Sequence, residues 1–384
     1  MTSLKDLFLL DPEITFLNHG SFGACPRPIM EIYQSWQHEL ERQPVLFLGR
    51  RINELMSQSR LRLAVYLGVQ PDEVVYFPNP TTAINMVARN LGLQPGDEIL
   101  TTNHEYGAMD RTWRFICRAS GAHYIRKQIT LPLTSKEQIV EAVWSGVTRR
   151  TRVLFISHIT SPTALIFPIE ELCQRARQRG ILSIVDGAHA PGQIPLNLEN
   201  VGADIYTGAC HKWLCAPKGA AFLYARRVVQ SMLLPLVVSW GYESEHPSQS
   251  QFIDYHEWQG TRDMSAFLTV PAAIDFQAQH DWEQVRRDCH ELASQTRQQL
   301  NDLTGLEPIC PDSRDWFSQM FAVRLPESTN LVDFKTRLYD EFRIEAPTIY
   351  WEGQKFLRIS IQEYNTNQDT DALVNAVQTI TATS

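Results

Sequence analysis

Hydrophobic positions follow two different periods along the first two thirds of the chain. Residues 28–66 carry apolar side chains at helical spacing, interrupted near Pro44. Further along, short β-branched runs alternate with amphipathic helical runs. Strands are predicted at 74–77, 98–101, 153–159, 181–185, 205–207 and 220–224, and helices at 81–90, 107–120 and 169–179. This alternation predicts an α/β fold in which helices cover a mostly parallel sheet.

A polar, aromatic segment without clear periodicity, residues 239–262, predicts the transition between two domains. Beyond it, helices are predicted at 264–280, 281–303, 330–342 and from about 369, and strands at 318–325 and 356–360. This tail is typical of a separate α+β layer. We therefore expect a large domain over 1–250, whose N-terminal segment could pack on the small domain, and a small C-terminal domain over 251–384.

Composition and charge narrow the class of protein. The 384 residues carry a net charge of -8 without a basic stripe, so nucleic acid is not an expected partner. The seven cysteines are scattered and include no CxxC pair, which argues against a disulfide framework and a zinc site. The first residues lack the apolar core of a signal peptide, and no apolar run is long enough to span a membrane. A cytoplasmic protein without a membrane partner is expected.

One lysine stands out among the seven in the chain. Lys212 lies in the stretch TGACHKWL, directly after a β-type run, with small, apolar or aromatic neighbours. Most lysines are solvated surface residues, but these flanks suit a half-buried amine. Desolvation lowers the pKa of a lysine and frees its lone pair for carbonyl chemistry. Lys218, in the stretch PKG, has the sequence of a turn and is the weaker candidate.

Two further features fit a site around Lys212. Asp186 ends the apolar run ILSIV, and ligands in open α/β sheets bind at the carboxyl ends of strands. Alone it would be interpreted as a turn or cap residue. Together, a lysine and a carboxylate are what pyridoxal phosphate (PLP) requires, the first for a Schiff base and the second for its pyridine nitrogen. Thr81 and Thr82 begin a predicted helix. Taken alone they are better explained as an ordinary N-cap, but beside the lysine and the carboxylate their hydroxyls and the free N–H groups fit a phosphate site.

The remaining candidates are three histidines and an arginine. His104, His189 and His211 lie in the same loops but form no close HxH or HxxxH pair, so no metal is expected. A histidine beside the lysine could instead bond phosphate or the phenolic oxygen of the cofactor. Arg358 lies in the β-type run KFLRIS. A surface salt bridge is its default role, and an inward orientation could bind a carboxylate in bidentate fashion.

Longer motifs connect these residues to a known family. The stretches VDGAHAPGQIPL, DIYTGACHKWLCAPKGAAFLY, GTRDMSAFLTVPAAI and FLRIS…YNT resemble class V aminotransferases, which are fold-type I PLP enzymes and include cysteine desulfurases. LNHGSFGACPRP, NHEYGAMDRTW and HITSPTALIFPI are similar to the narrower isopenicillin N epimerase-like branch, which also contains cysteine C–S lyases. The resemblance covers about residues 16–366. It implies a seven-stranded sheet of the aspartate aminotransferase type in a large PLP domain, with a smaller α+β domain.

The resemblance also implies a role for individual residues. Lys212 matches the Schiff-base lysine, Asp186 the partner of the pyridine nitrogen, and His189 the partner of the phenolic oxygen. Thr81, Thr82 and His211 match the phosphate site, and Thr261 matches a phosphate contact from the neighbouring subunit of a homodimer. Ala209 replaces a polar phosphate contact. Tyr106 matches the residue stacked on the cofactor ring, with His104 as the alternative.

The resemblance assigns the substrate side as well. Arg358 matches the carboxylate-binding arginine, Asn18 and His19 fall on a strand lining the substrate cleft, and Ser161 stands where desulfurases have asparagine.

The reaction itself stays open between several outcomes. Desulfurases carry a nucleophilic cysteine before the carboxylate arginine, but the stretch IEAPTIYWEGQKF has none. An amino-acid epimerase or a cysteine-type C–S lyase is favoured, with class V transamination or a desulfurase-like protein without the persulfide cysteine as alternatives. Tyr106, His104 and His19 are the candidate acids for epimerisation. A dinucleotide-binding Rossmann protein is disfavoured because no G-x-G-x-x-G motif follows an early strand. A PLP-binding regulator is also disfavoured because the lysine–carboxylate pair is intact.

Overall fold

The computed structural model describes residues 4–382, so the outermost residues of the two predicted domains, 1–3 and 383–384, lie outside it. The strands are β1 (Thr15–Phe16), β2 (Val74–Phe77), β3 (Glu98–Thr102), β4 (His123–Lys127), β5 (Thr151–Ser157), β6 (Leu182–Asp186), β7 (Ile205–Ala209), β8 (Ala221–Ala225), β9 (Met320–Arg324), β10 (Ile344–Glu345), β11 (Thr348–Trp351) and β12 (Gln354–Ser360).

The α-helices are α1 (His19–Phe22), α2 (Arg27–Arg42), α3 (Pro44–Leu46), α4 (Ile52–Leu67), α5 (Pro80–Asn90), α6 (Gly107–Ser120), α7 (Lys136–Trp144), α8 (Ile169–Gln178), α9 (Leu198–Val201), α10 (Arg227–Gln230), α11 (Gln251–Glu257), α12 (Ser265–Leu268), α13 (Val270–Gln279), α14 (Trp282–Thr304), α15 (Leu331–Asp340) and α16 (Asn367–Ala382). A π-helical segment, Phe47–Arg51, joins α3 to α4. Within 4–382, no helix is long and apolar enough to cross a membrane.

The large sheet has seven strands in the order β2-β8-β7-β6-β5-β3-β4, and β8 alone runs opposite to the other six. Both faces are buried, since Val74 and Tyr76 pack into one apolar cluster while Val75 and Phe77 pack into another on the opposite face. Strands covered on both faces are expected to be continuously apolar. The predicted α/β class and the mostly parallel sheet are therefore confirmed.

The C-terminal part forms a smaller α+β layer. Its antiparallel sheet has the order β11-β12-β9, and α14, α15 and α16 pack beside it. The N-terminal segment joins this layer, because β1 pairs in parallel with β10 and Asn18 forms a bridge to Ser360. The chain therefore passes from the small layer into the large sheet and back.

Several local predictions are wrong in detail. The strand predicted at 153–159 spans Thr151–Ser157, and the aperiodic segment 239–262 contains α11, which Ser250 caps through its side chain. Strand β4 and helix α7 were not predicted. Strand β4 has the sequence His-Tyr-Ile-Arg-Lys and lies at the edge of the large sheet, where its side chains stay partly exposed. An edge strand of this kind tolerates polar and charged residues, so its sequence contains no apolar run from which a strand could be predicted.

A candidate cofactor site at the edge of the large sheet

A cavity of about 150 Å³ lies at the carboxyl ends of the parallel strands of the large sheet. Seven residues predicted from the sequence line it: Thr81, Tyr106, Ser161, Asp186, His189, His211 and Lys212. A larger surface cavity of about 440 Å³, between the N-terminal segment and α16, is lined by none of the predicted site residues. We assign the candidate site to the smaller cavity because its chemistry converges there.

Asp186 and Lys212 reach this cavity from neighbouring parallel strands. Asp186 is the last residue of β6, and Lys212 lies in the loop that follows β7. Since carboxyl ends of parallel strands meet at one edge of a sheet, two residues far apart in sequence come to face one space. Gly23 supports this loop at close range: a Cβ there would lie 2.1 Å from the carbonyl oxygen of His211.

Burial gives both groups unusual protonation behaviour. Burial and, to a smaller extent, the positive charge of Arg358 together lower the pKa of Lys212 to about 8, although Asp186 opposes the shift. Burial also raises the pKa of Asp186, against the opposing effects of the Ala188 N–H and of Lys212. A lysine shifted in this direction holds a larger fraction of free amine near neutral pH, which suits attack on a carbonyl carbon.

The carboxylate oxygens of Asp186 are suited to accept a hydrogen bond from a protonated ring nitrogen. Asp186 Oδ1 accepts a hydrogen bond from the N–H of Ala188 at 3.0 Å. Its Oδ2 accepts no hydrogen bond from any residue within 4–382, so one oxygen of a buried carboxylate is free for a bound cation. Buried charges are normally paired. The protonated pyridine nitrogen of PLP would satisfy this requirement, with Lys212 available in the same cavity for its aldehyde.

The N-terminus of α5 forms the polar end of the cavity. Asn79, which was not predicted, caps this helix and lines the cavity with Thr81. The predicted phosphate contact Thr82 is placed differently: its N–H and its hydroxyl both bond the Asn79 side chain, at 2.8 and 3.1 Å, and it does not line the cavity. Free N–H groups at a helix start attract anions. His211 lines the same space and donates from Nδ1 to the carbonyl of Ala220 at 2.9 Å.

The structure separates the two candidates for stacking on the ring. Tyr106 lines the cavity and precedes α6, with 48% of its surface exposed. His104 is fully buried outside the cavity, bonded to Thr163 Oγ1 at 2.7 Å and to the carbonyl of Ile129 at 3.0 Å. It also packs on Trp351, with ring centroids 4.3 Å apart. The alternative prediction that His104 stacks on the cofactor ring is therefore wrong, because His104 lies in the core and both of its ring nitrogens are hydrogen-bonded there.

Arg358 connects the small sheet to the cavity. It lies on β12 and donates to the carbonyl of Ser161 at 2.7 Å and to the hydroxyl of Ser21 at 3.1 Å. Its Nε is buried and has no hydrogen-bond partner within 4–382. Burial lowers its pKa to about 10, although Tyr106 opposes this shift, and the guanidinium stays charged at neutral pH. An uncompensated buried donor beside a cavity is suited to an anionic ligand.

Asn18 and His19 do not lie on a cleft-lining strand, which corrects the prediction made for them. Strand β1 ends at Phe16, and His19 begins the short helix α1. His19 donates from Nε2 to the carbonyl of Lys212 at 3.0 Å, and its Nδ1 accepts from the hydroxyl of Tyr364 at 3.0 Å. Asn18 donates to Glu345 at 3.1 Å. Ser21 and Phe22, at the end of α1, line the cavity instead.

Some residues beside the cavity were missed by sequence reasoning. Ser157 lines it and donates to the buried carboxyl of Glu105 at 2.6 Å, while Thr102 donates to the other oxygen at 2.6 Å. Burial raises the pKa of Glu105 to about 8. Trp213 donates its indole N–H to His189 Nδ1 at 3.3 Å. The adjacency of Glu105 to Tyr106, and of Trp213 to Lys212, was the only available signal.

Thr261 lies apart from these residues. It is exposed in the segment between α11 and α12 and does not line the cavity of its own chain. A contact with the phosphate would therefore have to come from a second copy, and this role stays a prediction.

Comparison with known proteins adds independent information about the whole chain. Residues 27–373 match the family model described as Aminotransferase class-V. The chain is 38% identical to the isopenicillin N epimerase of Amycolatopsis lactamdurans, over 96% of both chains. It is 36% identical to that of Streptomyces clavuligerus, over 97% of this chain and 96% of the relative. It is 30% identical to a probable chloroplastic L-cysteine desulfhydrase of Arabidopsis thaliana, over 96% of this chain and 83% of the relative.

Solved structures support the fold at lower identity. An apo cysteine desulfurase from Thermococcus onnurineus NA1 superposes with a TM-score of 0.85 at 18% identity, covering 100% of this chain and 99% of that one. The cystine C–S lyase C-DES, in complex with cysteine persulfide, superposes with a TM-score of 0.85 at 20% identity, covering 96% and 98%. At these identities the likeness concerns the fold.

Proposed function

The chain belongs to the class V aminotransferase family, and we propose that it is a PLP-dependent enzyme acting at the α-carbon of an amino acid, as an epimerase or a cysteine-type C–S lyase. The observation that carries this proposal is the meeting of Lys212 and Asp186 at one cavity from adjacent strand ends. The identity to isopenicillin N epimerases over nearly the whole chain favours the epimerase-like branch.

The residues of the site would divide the work of binding the cofactor. Lys212 would join its aldehyde covalently, and the Asp186 carboxylate would keep a proton on its pyridine nitrogen. His189 would donate to its phenolic oxygen. Thr81, with the N-terminus of α5, would bind the phosphate, and Tyr106 would cover one face of the ring. PLP, when bound, supplies an electron-withdrawing ring that stabilises negative charge on the substrate α-carbon.

Other residues beside the cavity would bind the substrate and transfer its proton. Arg358 would bind the substrate α-carboxylate, exchanging some of its hydrogen bonds with Ser161 and Ser21 for charged ones. The Lys212 amine, with its lowered pKa, would remove the α-proton. Returning a proton to the opposite face requires a second acid. Tyr106 is the best-placed candidate because it lines the cavity, whereas the ring nitrogens of His104 and His19 are hydrogen-bonded to other groups of the protein.

Persulfide-forming desulfuration is disfavoured as an alternative. None of the seven cysteines lines the cavity, and six of them are buried. Cys25, the partly exposed one, lies on a different surface cavity beside Lys218, and burial raises the pKa of its thiol to about 12. A thiol held in its neutral form is a poor nucleophile. Transamination uses the same residues and remains the second candidate.

A homodimer and a cytoplasmic location form part of the proposal. The exposed position of Thr261, away from its own cavity, supports a site completed by a second subunit. All seven cysteines are unpaired, which suits a reducing compartment.

Absorbance of the bound cofactor tests the assignment of Lys212. Purified wild-type protein supplied with PLP should show a visible band that survives dialysis, and Lys212→Ala should lose it. Lys218→Ala is the matched control, because it removes another lysine from the same loop. The Lys218 Nζ donates to the carbonyl of Gly23 at 2.8 Å and does not line the cavity. A colourless wild-type protein, or a band lost only in Lys218→Ala, would contradict the proposal.

A substrate panel then distinguishes the reactions. L- and D-amino acids and cysteine S-conjugates are incubated with the enzyme while pyruvate, ammonia, chiral inversion and keto-acid exchange are followed together. Inversion alone identifies an epimerase, and pyruvate from S-conjugates alone identifies a lyase. Keto-acid exchange without either would replace both with an aminotransferase.

A further inference from the structure

The imidazole of His189 is held between two nitrogen atoms of consecutive residues. The indole Nε1 of Trp213 lies 3.3 Å from His189 Nδ1, with its hydrogen directed at that atom. On the other side of the ring, Lys212 Nζ lies 3.3 Å from His189 Nε2. His189 and Trp213 are both buried. The two contacts therefore define what each ring nitrogen is able to do.

The Trp213 contact determines where the histidine proton lies. An indole N–H is only a donor, so Nδ1 of His189 must supply a lone pair. Burial, followed by the charges of Lys212 and Arg358, lowers the pKa of His189 well below its ordinary value, so the ring is neutral. A neutral imidazole carries one proton, and with Nδ1 occupied as an acceptor that proton lies on Nε2.

This tautomer has a consequence for Lys212. The Nε2–H group of His189 faces the lysine nitrogen as a donor. An ammonium group has only donors to offer, whereas a neutral amine has a lone pair that can accept. The arrangement therefore favours the free amine. In the opposite tautomer, Nε2 would accept a hydrogen bond from the ammonium and favour the charged form.

We propose that Trp213 is a positioning residue that fixes the tautomer of His189 and thereby shifts Lys212 toward its unprotonated, nucleophilic amine. The same Nε2–H group is then available as a donor to an oxygen of the bound cofactor. This inference rests on the proposed function, because it takes Lys212 as the amine that captures PLP.

The pH dependence of PLP capture by the full-length, cofactor-free protein measures this effect directly. The rate follows the fraction of free Lys212 amine, so its midpoint reports the pKa of that group. Trp213→Phe should move the midpoint upward by about one pH unit, the size of one buried hydrogen bond. Trp282→Phe is the control, since its indole N–H bonds the Gly192 carbonyl in the loop that carries His189. An unchanged midpoint in Trp213→Phe, or an equal shift in both variants, overturns the proposal.

A second background separates the tautomer from general loosening of the site. Glutamine has no tautomers, so in His189→Gln the further change Trp213→Phe should add no shift. An additional shift of the same size would show that Trp213 acts by another route and would overturn the proposal.

Nitrogen NMR of the wild-type protein gives a test that does not depend on the folding of any Trp213 variant. With the His189 signals assigned by their loss in His189→Gln, Nδ1 should be unprotonated and Nε2 protonated. A protonated Nδ1 overturns the inference. Failure of wild-type protein to capture PLP at all would instead refute the proposed function, so the two failures are distinguishable.

Discussion

The guanidinium of Arg358 donates a 2.7 Å hydrogen bond to the main-chain carbonyl of Ser161, which links the small sheet to the cavity of the large one. Its Nε, buried without a partner within 4–382, is a donor that a ligand can use. The arginine is therefore held in place by the protein and still able to bind an anion. Its burial makes a charged hydrogen bond stronger than it would be at the surface.

Replacing this arginine should weaken substrate binding without loss of the cofactor. Arg358→Gln should raise KM by roughly 10- to 100-fold, since a hydrogen bond to a charged group contributes about 1.5–3 kcal/mol. The KM of Arg358→Lys should lie between those of the wild type and Arg358→Gln, because lysine keeps the positive charge but loses the planar guanidinium that can form two parallel hydrogen bonds. Steady-state kinetics and PLP content measure both effects. Arg324→Gln, on the neighbouring strand and bonded to the Glu307 carbonyl, is the control. A KM unchanged in Arg358→Gln would remove this residue from the substrate site.

Tyr106 should separate epimerisation from β-elimination. If its hydroxyl returns the proton to the opposite face, Tyr106→Phe keeps the ring and should reduce chiral inversion by roughly 100-fold, the usual range for a general acid. Pyruvate release from cysteine S-conjugates should change much less. Chiral chromatography and a pyruvate assay on one preparation compare the two reactions. Tyr350→Phe, an exposed tyrosine in the small sheet, serves as control. Equal loss of both reactions would indicate a role in binding rather than in proton return.

The buried carboxyl of Glu105 should make stability depend on pH. Burial raises its pKa from 4.5 to about 8, against the hydrogen bonds from Ser157 and Thr102. Between these values the folded state keeps a proton that the unfolded chain has lost, so this group costs more stability as pH rises. Relative to wild type, Glu105→Gln should therefore gain on the order of a few kcal/mol between about pH 5 and about pH 8.

Urea unfolding of the cofactor-free protein at both pH values measures this difference. Glu199→Gln, a surface change on α9, should follow the wild type at both. A constant difference between Glu105→Gln and wild type across this range would mean that Glu105 is already ionised in the folded protein.

Mixing two inactive variants tests whether the site is shared. Lys212→Ala lacks the amine, and Thr261→Ala lacks the predicted phosphate contact. In a mixed dimer, one site would receive both wild-type residues. Random exchange should restore about a quarter of wild-type activity if the contact comes from the partner. Mass spectrometry of differently tagged subunits verifies exchange. Exchange without recovered activity would show that Thr261 does not act across the interface.

The separation between predictable and unpredictable residues has a physical basis. Asp186 could be found because an apolar run that ends in a carboxylate indicates a buried strand with a polar carboxyl end. Lys212 could be found because its neighbours are small or aromatic. Tyr106 and His104 are two positions apart in one short turn, so their sequence context is nearly the same. Only the path of the turn between β3 and α6 directs one into the cavity and the other into the core.

The prediction for Asn18 and His19 was wrong for a related reason. Strand β1 has only two residues, which is too short to show the alternation of apolar and polar positions that marks a strand and its end. His19 is instead held by Tyr364 and by the Lys212 carbonyl, which are 345 and 193 positions away in the chain. Contacts at such separations leave no local pattern in a single sequence.

The sequence alone determined the class of fold and the order of most strands and helices, and it led to the cofactor and to the two residues that we propose hold it. Local periodicity is sufficient for the strands and helices, and parallel strands bring their carboxyl ends together, while the cofactor followed from the residue types at those ends and from the resemblance to class V aminotransferases. Tertiary structure alone decided which ring faces the cavity, where Arg358 is anchored, which groups flank the two ring nitrogens of His189 and how deeply Glu105 is buried. Each of these depends on burial and on partners from distant segments, whose positions are fixed only when the whole chain has packed.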